Sequence, residues 1–151
     1  DEAYALARGG DNDFGREAID TLVKMMEDHR HDLVVVIAGY TDEMRTLVEA
    51  NPGMQSRFTK TIHFPDYSDD ELIAIFRSMG DKQRYVPDEG AVGALRDLLA
   101  AQSRDRGFGN ARFVRNVFEA AIARQARRMV GITDPTDEQL CTLTAEDVRP
   151  S

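Results

Sequence analysis

The sequence predicts an α/β segment over residues 1–66 followed by an all-α segment over residues 67–151. Two observations indicate this division. The first part contains a continuous apolar and β-branched run, residues 33–38 (LVVVIA), which is typical of a strand covered on both faces, as in a parallel sheet. After Pro65 the apolar residues recur only at helical spacing. The chain is therefore predicted to combine part of a sheet with a small helical bundle.

The first part is predicted to begin with a strand end and a loop. Residues 1–6 are assigned to the strand end, and residues 8–13 (RGGDND) are rich in turn-forming residues. A helix over residues 14–28 has one apolar face, and Asp13 is its expected N-cap.

A second helix is predicted to follow the apolar run. Thr41 is its expected cap, and two acidic residues come next, where the helix dipole favours them. The breaker at residues 51–53 (NPG) ends this helix. A loop that carries Arg57 and a short strand over residues 59–64 complete the first part.

The second part is predicted to be helical throughout. Capping boxes at residues 68–71 (SDDE) and 136–139 (TDEQ) mark two helix starts. Further helices are expected from Asp88 and Asn110, and a last turn over residues 144–148. The helix from Asn110 has a wide apolar face, which predicts a position deep in the bundle.

Composition excludes several classes of function. The chain has 151 residues and a formal net charge of −8, which argues against a general nucleic-acid binder, since phosphate binding requires a basic face. No apolar run approaches the roughly 18 residues of a membrane helix, so no membrane partner is expected. A single cysteine, Cys141, allows no internal disulfide and favours a cytoplasmic location.

The acidic pair Asp1-Glu2 is the first candidate for chemistry. In ATP hydrolysis one carboxylate can hold Mg²⁺, directly or through water, and a second can orient and deprotonate the attacking water. The alternative is that both side chains are simply solvated.

Two further candidates follow along the first part. Thr41 stands just after the predicted buried strand, and ligands of open α/β sheets bind outside the carboxyl ends of strands, although Thr41 could instead only cap its helix. Arg57 has the planar fork that suits phosphoryl transfer, although a surface arginine more often pairs with a nearby carboxylate.

The helix start at residues 107–116 (GFGNARFVRN) is the fourth candidate. Arg112 lies in the first turn, with Arg115 on the same side, where the helix dipole would favour a phosphate. The alternative is a solvated basic edge, which is also the expectation for Arg124, Arg127 and Arg128.

Together these segments resemble the CbbX/SpoVK group of AAA+ ATPases, which includes the EccA proteins. The resemblance rests on DEAYALA at the start, on residues 14–44, on NPGMQSRF, on IHFPDYSDDEL and on GNARFVRNVFEAAIARQARR, in the expected order. It implies a partial P-loop NTPase sheet subdomain over residues 1–66 and a helical lid subdomain over residues 67–151. It further implies a C-terminal fragment that begins at the Walker B acidic pair.

The resemblance also implies roles for individual residues. Asp1 corresponds to the Walker B aspartate that serves Mg²⁺, Glu2 to the catalytic glutamate, and Thr41 to sensor 1, with Tyr40 and Asp42 as alternatives. Arg57 corresponds to the arginine finger and Arg112 to sensor 2. Residues 8–13 correspond to a pore loop, the cofactors to ATP and Mg²⁺, and the partners to further copies in a ring, a hexamer, together with a protein client that the sequence does not name.

One family motif is absent from the 151 residues: the sequence contains no Gly-x-x-x-x-Gly-Lys-Ser/Thr phosphate loop. The chain alone is therefore expected to be inactive. The leading hypothesis is an ATP-hydrolysing, protein-remodelling enzyme, and the alternative is a non-catalytic interaction module derived from an AAA+ lid. A DNA-acting relative is disfavoured by the negative charge.

Overall fold

Two units make up the computed structural model, Asp1–Phe64 and Pro65–Ser151, and the structure describes residues 1–8, 14–105 and 107–149. Of the predicted loop over residues 8–13, Arg8 instead ends a 3₁₀ helix, and residues 9–13, including the predicted N-cap Asp13, lie outside the described residues. The elements in chain order are a 3₁₀ helix Ala3–Arg8, α1 Phe14–Asp28, α2 Thr41–Glu49, α3 Pro52–Arg57, α4 Asp69–Gln83, β1 Val86–Pro87, α5 Glu89–Ala101, α6 Ala111–Val130, α7 Asp137–Cys141, β2 Thr142–Leu143 and α8 Ala145–Val148.

The first unit is held together by a small core between three helices. Ile19 of α1, Leu47 of α2 and Met54 of α3 are each at most 3% exposed. Several partly buried apolar residues pack around them: Ala3, Val23, Ile37, Met44 and Phe58. This packing supports the predicted helix over residues 14–28, whose bounds are confirmed.

The structure does not confirm the two strands predicted for this unit. Residues 33–40 and 58–68 have no regular secondary structure. Val34 and Val36 are 89% and 83% exposed, so the run at residues 33–38 is not covered on both faces as predicted. A strand needs a neighbour that pairs with its N–H and C=O groups along its length. Among the described residues, only the two ends of the run bond to backbone outside it: Leu33 N donates to His29 O at 2.9 Å, and Ala38 O accepts from Ala3 N at 3.1 Å.

Two local predictions in the same unit are wrong. The chain start is not a strand end, because residues 3–8 form a 3₁₀ helix. The segment with Arg57 is not a loop: Asn51 is the N-cap and Pro52 the first residue of α3, a position where proline's missing N–H costs nothing.

The second unit has a larger core, formed chiefly by α4, α5, α6 and α8. The rings of Phe76 and Phe118 meet edge to face, with centroids 5.4 Å apart, and both side chains are at most 1% exposed. Val114 and Ala121, on the same side of α6 as Phe118, are fully buried, which confirms the deep position predicted for this helix.

Helix starts in the second unit follow the predicted caps. Ser68 and Thr136 each complete a capping box, and the carboxylate of Asp88 accepts a bond of 2.7 Å from Ala91 N at the start of α5. One departure from an all-α unit is a short parallel pair in which Val86 faces Thr142 and Pro87 faces Leu143.

Candidate functional site

The acidic pair lies beside the end of the 33–38 run. Asp1 and Glu2 are both exposed and stand immediately before the 3₁₀ helix. Ala3 N donates a 3.1 Å hydrogen bond to Ala38 O, and Glu2 N donates one of 2.9 Å to Asp1 Oδ1. Glu2 has a positive φ of 51°. The backbone directly after the acidic pair is thereby joined to the carboxyl end of residues 33–38.

Gly39 permits the close approach of the Tyr4 and Met44 side chains beside the acidic pair. The region formed by residues 1–4 and 38–41 is called the acidic corner. A Cβ atom at Gly39 would lie 2.7 Å from Tyr4 Cδ1 and 2.8 Å from Met44 Sδ. Tyr4 is 7% exposed, and its ring centroid lies 6.1 Å from that of Tyr40. Any larger residue at position 39 would require the Tyr4 ring and the Met44 side chain to move.

Thr41 is the first residue of α2, on the same short stretch as Ala38 and Gly39. The prediction that it caps this helix is wrong, since the N-cap residue is Tyr40 and makes no side-chain capping bond. Thr41 is exposed, so its hydroxyl is accessible at the corner that the acidic pair occupies. The structure thus brings Asp1, Glu2 and Thr41 into one region of the first unit.

Arg57 is anchored within its own unit, at the end of α3. Its Nη2 donates to Glu27 Oε2 at 2.9 Å, and its Nη1 donates to Gly53 O at 3.2 Å. Its Nε is buried and has no hydrogen-bond partner among the described residues. The pairing with a carboxylate that the sequence offers as the alternative to a catalytic role is present in the structure.

Arg112 is exposed in the first turn of α6, in the second unit. Its backbone N donates to Gly109 O at 2.8 Å, so the loop before the helix sets its position. A shallow depression surrounds it, lined by Gln102, Asp105, Gly107, Phe108, Gly109, Phe113 and Asn116.

Two of the arginines expected to form a solvated edge on α6 are structural instead. Arg128 donates to both carboxylate oxygens of Asp147, at 3.1 and 2.7 Å, and Arg124 donates to Asp147 O at 2.9 Å. Asp147 is 1% exposed. Of the three arginines only Arg127 is exposed as predicted.

The role of Asn110 was not recognised beyond its position at a helix start. Its side chain bonds to Asp66 and Tyr67, 44 and 43 residues earlier in the chain. The sequence signal for this role is weak: an asparagine stands between a glycine-rich loop and a helix, where a glycine would also be expected.

The chemistry of these groups fits part of a magnesium–nucleotide site. Mg²⁺ is usually held by one or two carboxylates, substrate phosphates and water, and Asp1 and Glu2 offer two accessible carboxylates. Within the part of the chain that the structure describes, no group of three or more His, Cys, Asp or Glu could hold a metal ion.

Comparison with known proteins supplies the family. The model of the AAA lid domain matches residues 68–151, the greater part of the chain. The chain belongs to the AAA+ family. Stage V sporulation protein K of Bacillus subtilis is 44% identical over 151 residues, which cover 98% of this chain and 47% of that relative.

Two other relatives place the chain in the CbbX/SpoVK/EccA group of AAA+ proteins. Protein CbbX of Cereibacter sphaeroides is 43% identical over 154 residues, across 100% of this chain and 50% of the relative. The ESX-3 secretion system protein EccA3 of Mycobacterium leprae is 40% identical over 171 residues, across 100% of this chain and 27% of the relative. The chain spans about half the length of the first two AAA+ relatives.

The described part of this AAA+ chain contains no helix that is long and apolar enough to cross a membrane.

Proposed function

We propose that this chain is the rear part of an AAA+ ATPase that remodels a protein client, with residues 1–66 as the rear half of the nucleotide-binding subdomain and residues 67–151 as the helical lid. The observation that carries the proposal is the bond from Ala3 N to Ala38 O, which holds the acidic pair beside the segment that leads into Thr41. Carboxylates and a hydroxyl at the carboxyl end of an apolar run are among the groups that contact a magnesium–nucleotide complex.

The exposed apolar residues of the first unit support its assignment to a larger sheet subdomain. Val34, Val36, Ile62 and Phe64 are 89%, 83%, 65% and 85% exposed. These residues belong to the two runs that the sequence predicts to be strands. Such exposure is expected of strands whose neighbours in the sheet are supplied by other residues.

Each residue of the acidic corner has a proposed task. Asp1 helps to hold Mg²⁺, directly or through water, and the bound ion would neutralise charge on the phosphates. Glu2 accepts a proton from the attacking water and orients it. The Thr41 hydroxyl, at the sensor 1 position, contacts the terminal phosphate or that water.

The two arginines are proposed to act from outside this corner. Arg57 is the arginine finger, which donates to the nucleotide of a neighbouring copy in a ring, a hexamer. Its bond to Glu27 is compatible with this role, since the Glu27 side chain is 58% exposed and can turn into solvent when Arg57, itself 26% exposed, releases it. Arg112 is sensor 2 and couples the phosphates to the lid, whose movement would drive the remodelling of the client.

Replacement of Glu2 tests the proposal in the full-length protein. Glu2→Gln removes the base but keeps the shape of the side chain, so ATP hydrolysis should fall by roughly 10²–10⁴-fold while ATP binding persists. Glu49→Gln, at an exposed glutamate that ends α2, is the matched control and should hydrolyse ATP at the wild-type rate. Undiminished turnover by Glu2→Gln would refute the assignment of the base.

The alternative is a non-catalytic protein-interaction module derived from an AAA+ lid, and ATP binding by the full-length protein distinguishes the two proposals. A full-length protein that lacks a phosphate loop and binds no ATP would favour the module. Tight ATP binding by the full-length protein would favour the enzyme.

A further inference from the structure

The first residues of the second unit are tied to the start of α6 by the side-chain amide of Asn110. Tyr67 N donates to Asn110 Oδ1 at 2.9 Å, and Asn110 Nδ2 donates to Asp66 Oδ1 at 2.6 Å. Both partners stand directly after Pro65, where the chain passes into this unit. The side-chain amide of Asn110 therefore links residues 66 and 67, at the start of the second unit, to the turn that carries Arg112.

Arg104 holds the same stretch from the other side of the glycine-rich loop. Its Nη1 donates to Tyr67 O at 3.1 Å, and its Nη2 pairs with the carboxylate of Asp69. Its guanidinium carbon lies 4.2 Å from the centre of the Phe108 ring. Residues 66–69 are thus fastened to both ends of the loop that precedes α6.

The backbone of Asn110 is strained by the position it occupies. Its φ of 47° and ψ of −123° lie in a region that glycine tolerates and that side chains disfavour. The two side-chain bonds are a structural reason to keep asparagine here, because glycine would satisfy the backbone but could not reach Asp66 or Tyr67. Two residues later, Arg112 N bonds to Gly109 O in the same turn.

We propose that Asn110 is a positioning residue. When Arg112 contacts a phosphate and the first turn of α6 shifts, Asn110 transmits that shift to the peptide at Tyr67. The inference rests on the proposed function, in which Arg112 contacts nucleotide phosphates. A shift of the first turn of α6 toward a phosphate moves Asn110 as well, and its two bonds pass that shift to residues 66 and 67. Any movement of the lid relative to the rest of the protein must bend the chain near these residues, because the connection runs through them.

Exchange of the amide and the carboxylate between positions 110 and 66 tests the link in the full-length protein. Asn110→Asp keeps an acceptor for Tyr67 N but sets a carboxylate against that of Asp66, so kcat for ATP should fall about tenfold while KM stays within about twofold. Adding Asp66→Asn restores a donor opposite the new carboxylate and should bring kcat back to within about twofold of the wild type. Glu119→Gln, a carboxylate-to-amide change at an exposed residue farther along α6, is the control and should leave both constants unchanged.

Hydrogen exchange at the Tyr67 amide supplies a readout that does not depend on turnover. In the wild type a non-hydrolysable ATP analogue should change the protection of this amide. Asn110→Gly, which relieves the backbone strain but removes both bonds, should lower the protection at least about tenfold and abolish the response to the analogue. A wild-type response in Asn110→Gly, or no rescue by the exchange, would overturn the inference.

Arg112→Ala separates this inference from the proposed function. If Arg112→Ala leaves hydrolysis unchanged, the sensor role of Arg112 fails, and the inference falls with it. If Arg112→Ala lowers hydrolysis while Asn110→Asp and Asn110→Gly behave as the wild type, the proposed function stands and the link through Asn110 alone is refuted.

Discussion

Asp147 shows how one buried charge organises the end of the second unit. The carboxylate is 1% exposed and receives bonds from Arg128 and from both the backbone N and the Oγ1 of Thr144. Burial alone would raise the pKa of Asp147, but the bonds from Arg128 and then Thr144 outweigh burial and hold this pKa below its ordinary value. The carboxylate therefore stays charged in the folded chain at neutral pH.

Asp147→Asn should destabilise the chain measurably. Loss of the charge leaves Arg128 without its ion-pair partner, and we expect the free energy of unfolding at pH 7 to fall by about 2 kcal/mol. This is less than for a fully buried pair, because the Arg128 side chain remains 28% exposed. Denaturant unfolding followed by circular dichroism measures the change.

Asp97→Asn is the matched control for this substitution. Asp97 pairs with Arg149 at 3.7 Å in the same unit, but both side chains are well exposed, so the free energy should change by less than about 1 kcal/mol. Equal effects of the two substitutions would contradict the importance given to burial.

The stability that Asp147 contributes should depend on pH. Because its folded pKa is lowered, the contribution is complete above the ordinary value of about 3.9 and is lost as pH falls through the lowered value. The difference in unfolding free energy between wild type and Asp147→Asn should therefore shrink as the pH falls below that ordinary value. A difference that persists unchanged in acid would show that the charge is not its source.

At the scale of secondary-structure elements, local signals predicted the helices well. The starts of α4 and α7 follow from capping boxes, whose two partners are three residues apart and so are visible in the sequence. The bounds of α1 follow from its apolar spacing. These features depend only on neighbours within one turn of helix.

Elements that depend on distant partners were predicted less well. The run at residues 33–38 has the composition of a buried strand, but the described residues supply no neighbouring strand to pair with it. Arg124 and Arg128 were expected in solvent because their partner, Asp147, is 19 or more residues away. The candidate site shows the same limit: the acidic pair was found as a motif, whereas the bonds of Arg57 to Glu27 and of Asn110 to Asp66 required the structure.

The capping box of α4 yields a prediction at this scale. Ser68→Ala removes the acceptor for Glu71 N, so the free energy of unfolding should fall by about 1 kcal/mol. Ser78→Ala, at an exposed position inside the same helix, removes no capping bond and should be neutral or slightly stabilising, since alanine has the higher helix propensity. Thermal unfolding of both variants checks this. A loss at Ser78 equal to that at Ser68 would contradict a specific role for the cap.

At the scale of the whole molecule, the proposed site needs more than one copy of the chain. Glu2 and Thr41 lie in the corner where hydrolysis is proposed, whereas Arg57 is anchored at the end of α3 by Glu27 and Gly53. The proposal assigns Arg57 to the nucleotide of a neighbouring copy. Loss of Arg57 should therefore lower hydrolysis by roughly 10³–10⁵-fold, as for other arginine fingers. The copy that lacks Arg57 still carries an intact Glu2.

Mixtures of two inactive variants of the full-length protein, Glu2→Gln and Arg57→Ala, test this account most directly. A site formed by an Arg57→Ala copy still contains Glu2, and an adjacent Glu2→Gln copy still supplies Arg57. Mixing before ring assembly should therefore restore ATP hydrolysis that neither variant has alone. Hydrolysis no greater than the sum of the two separate variants, in rings shown to contain both, would contradict the account.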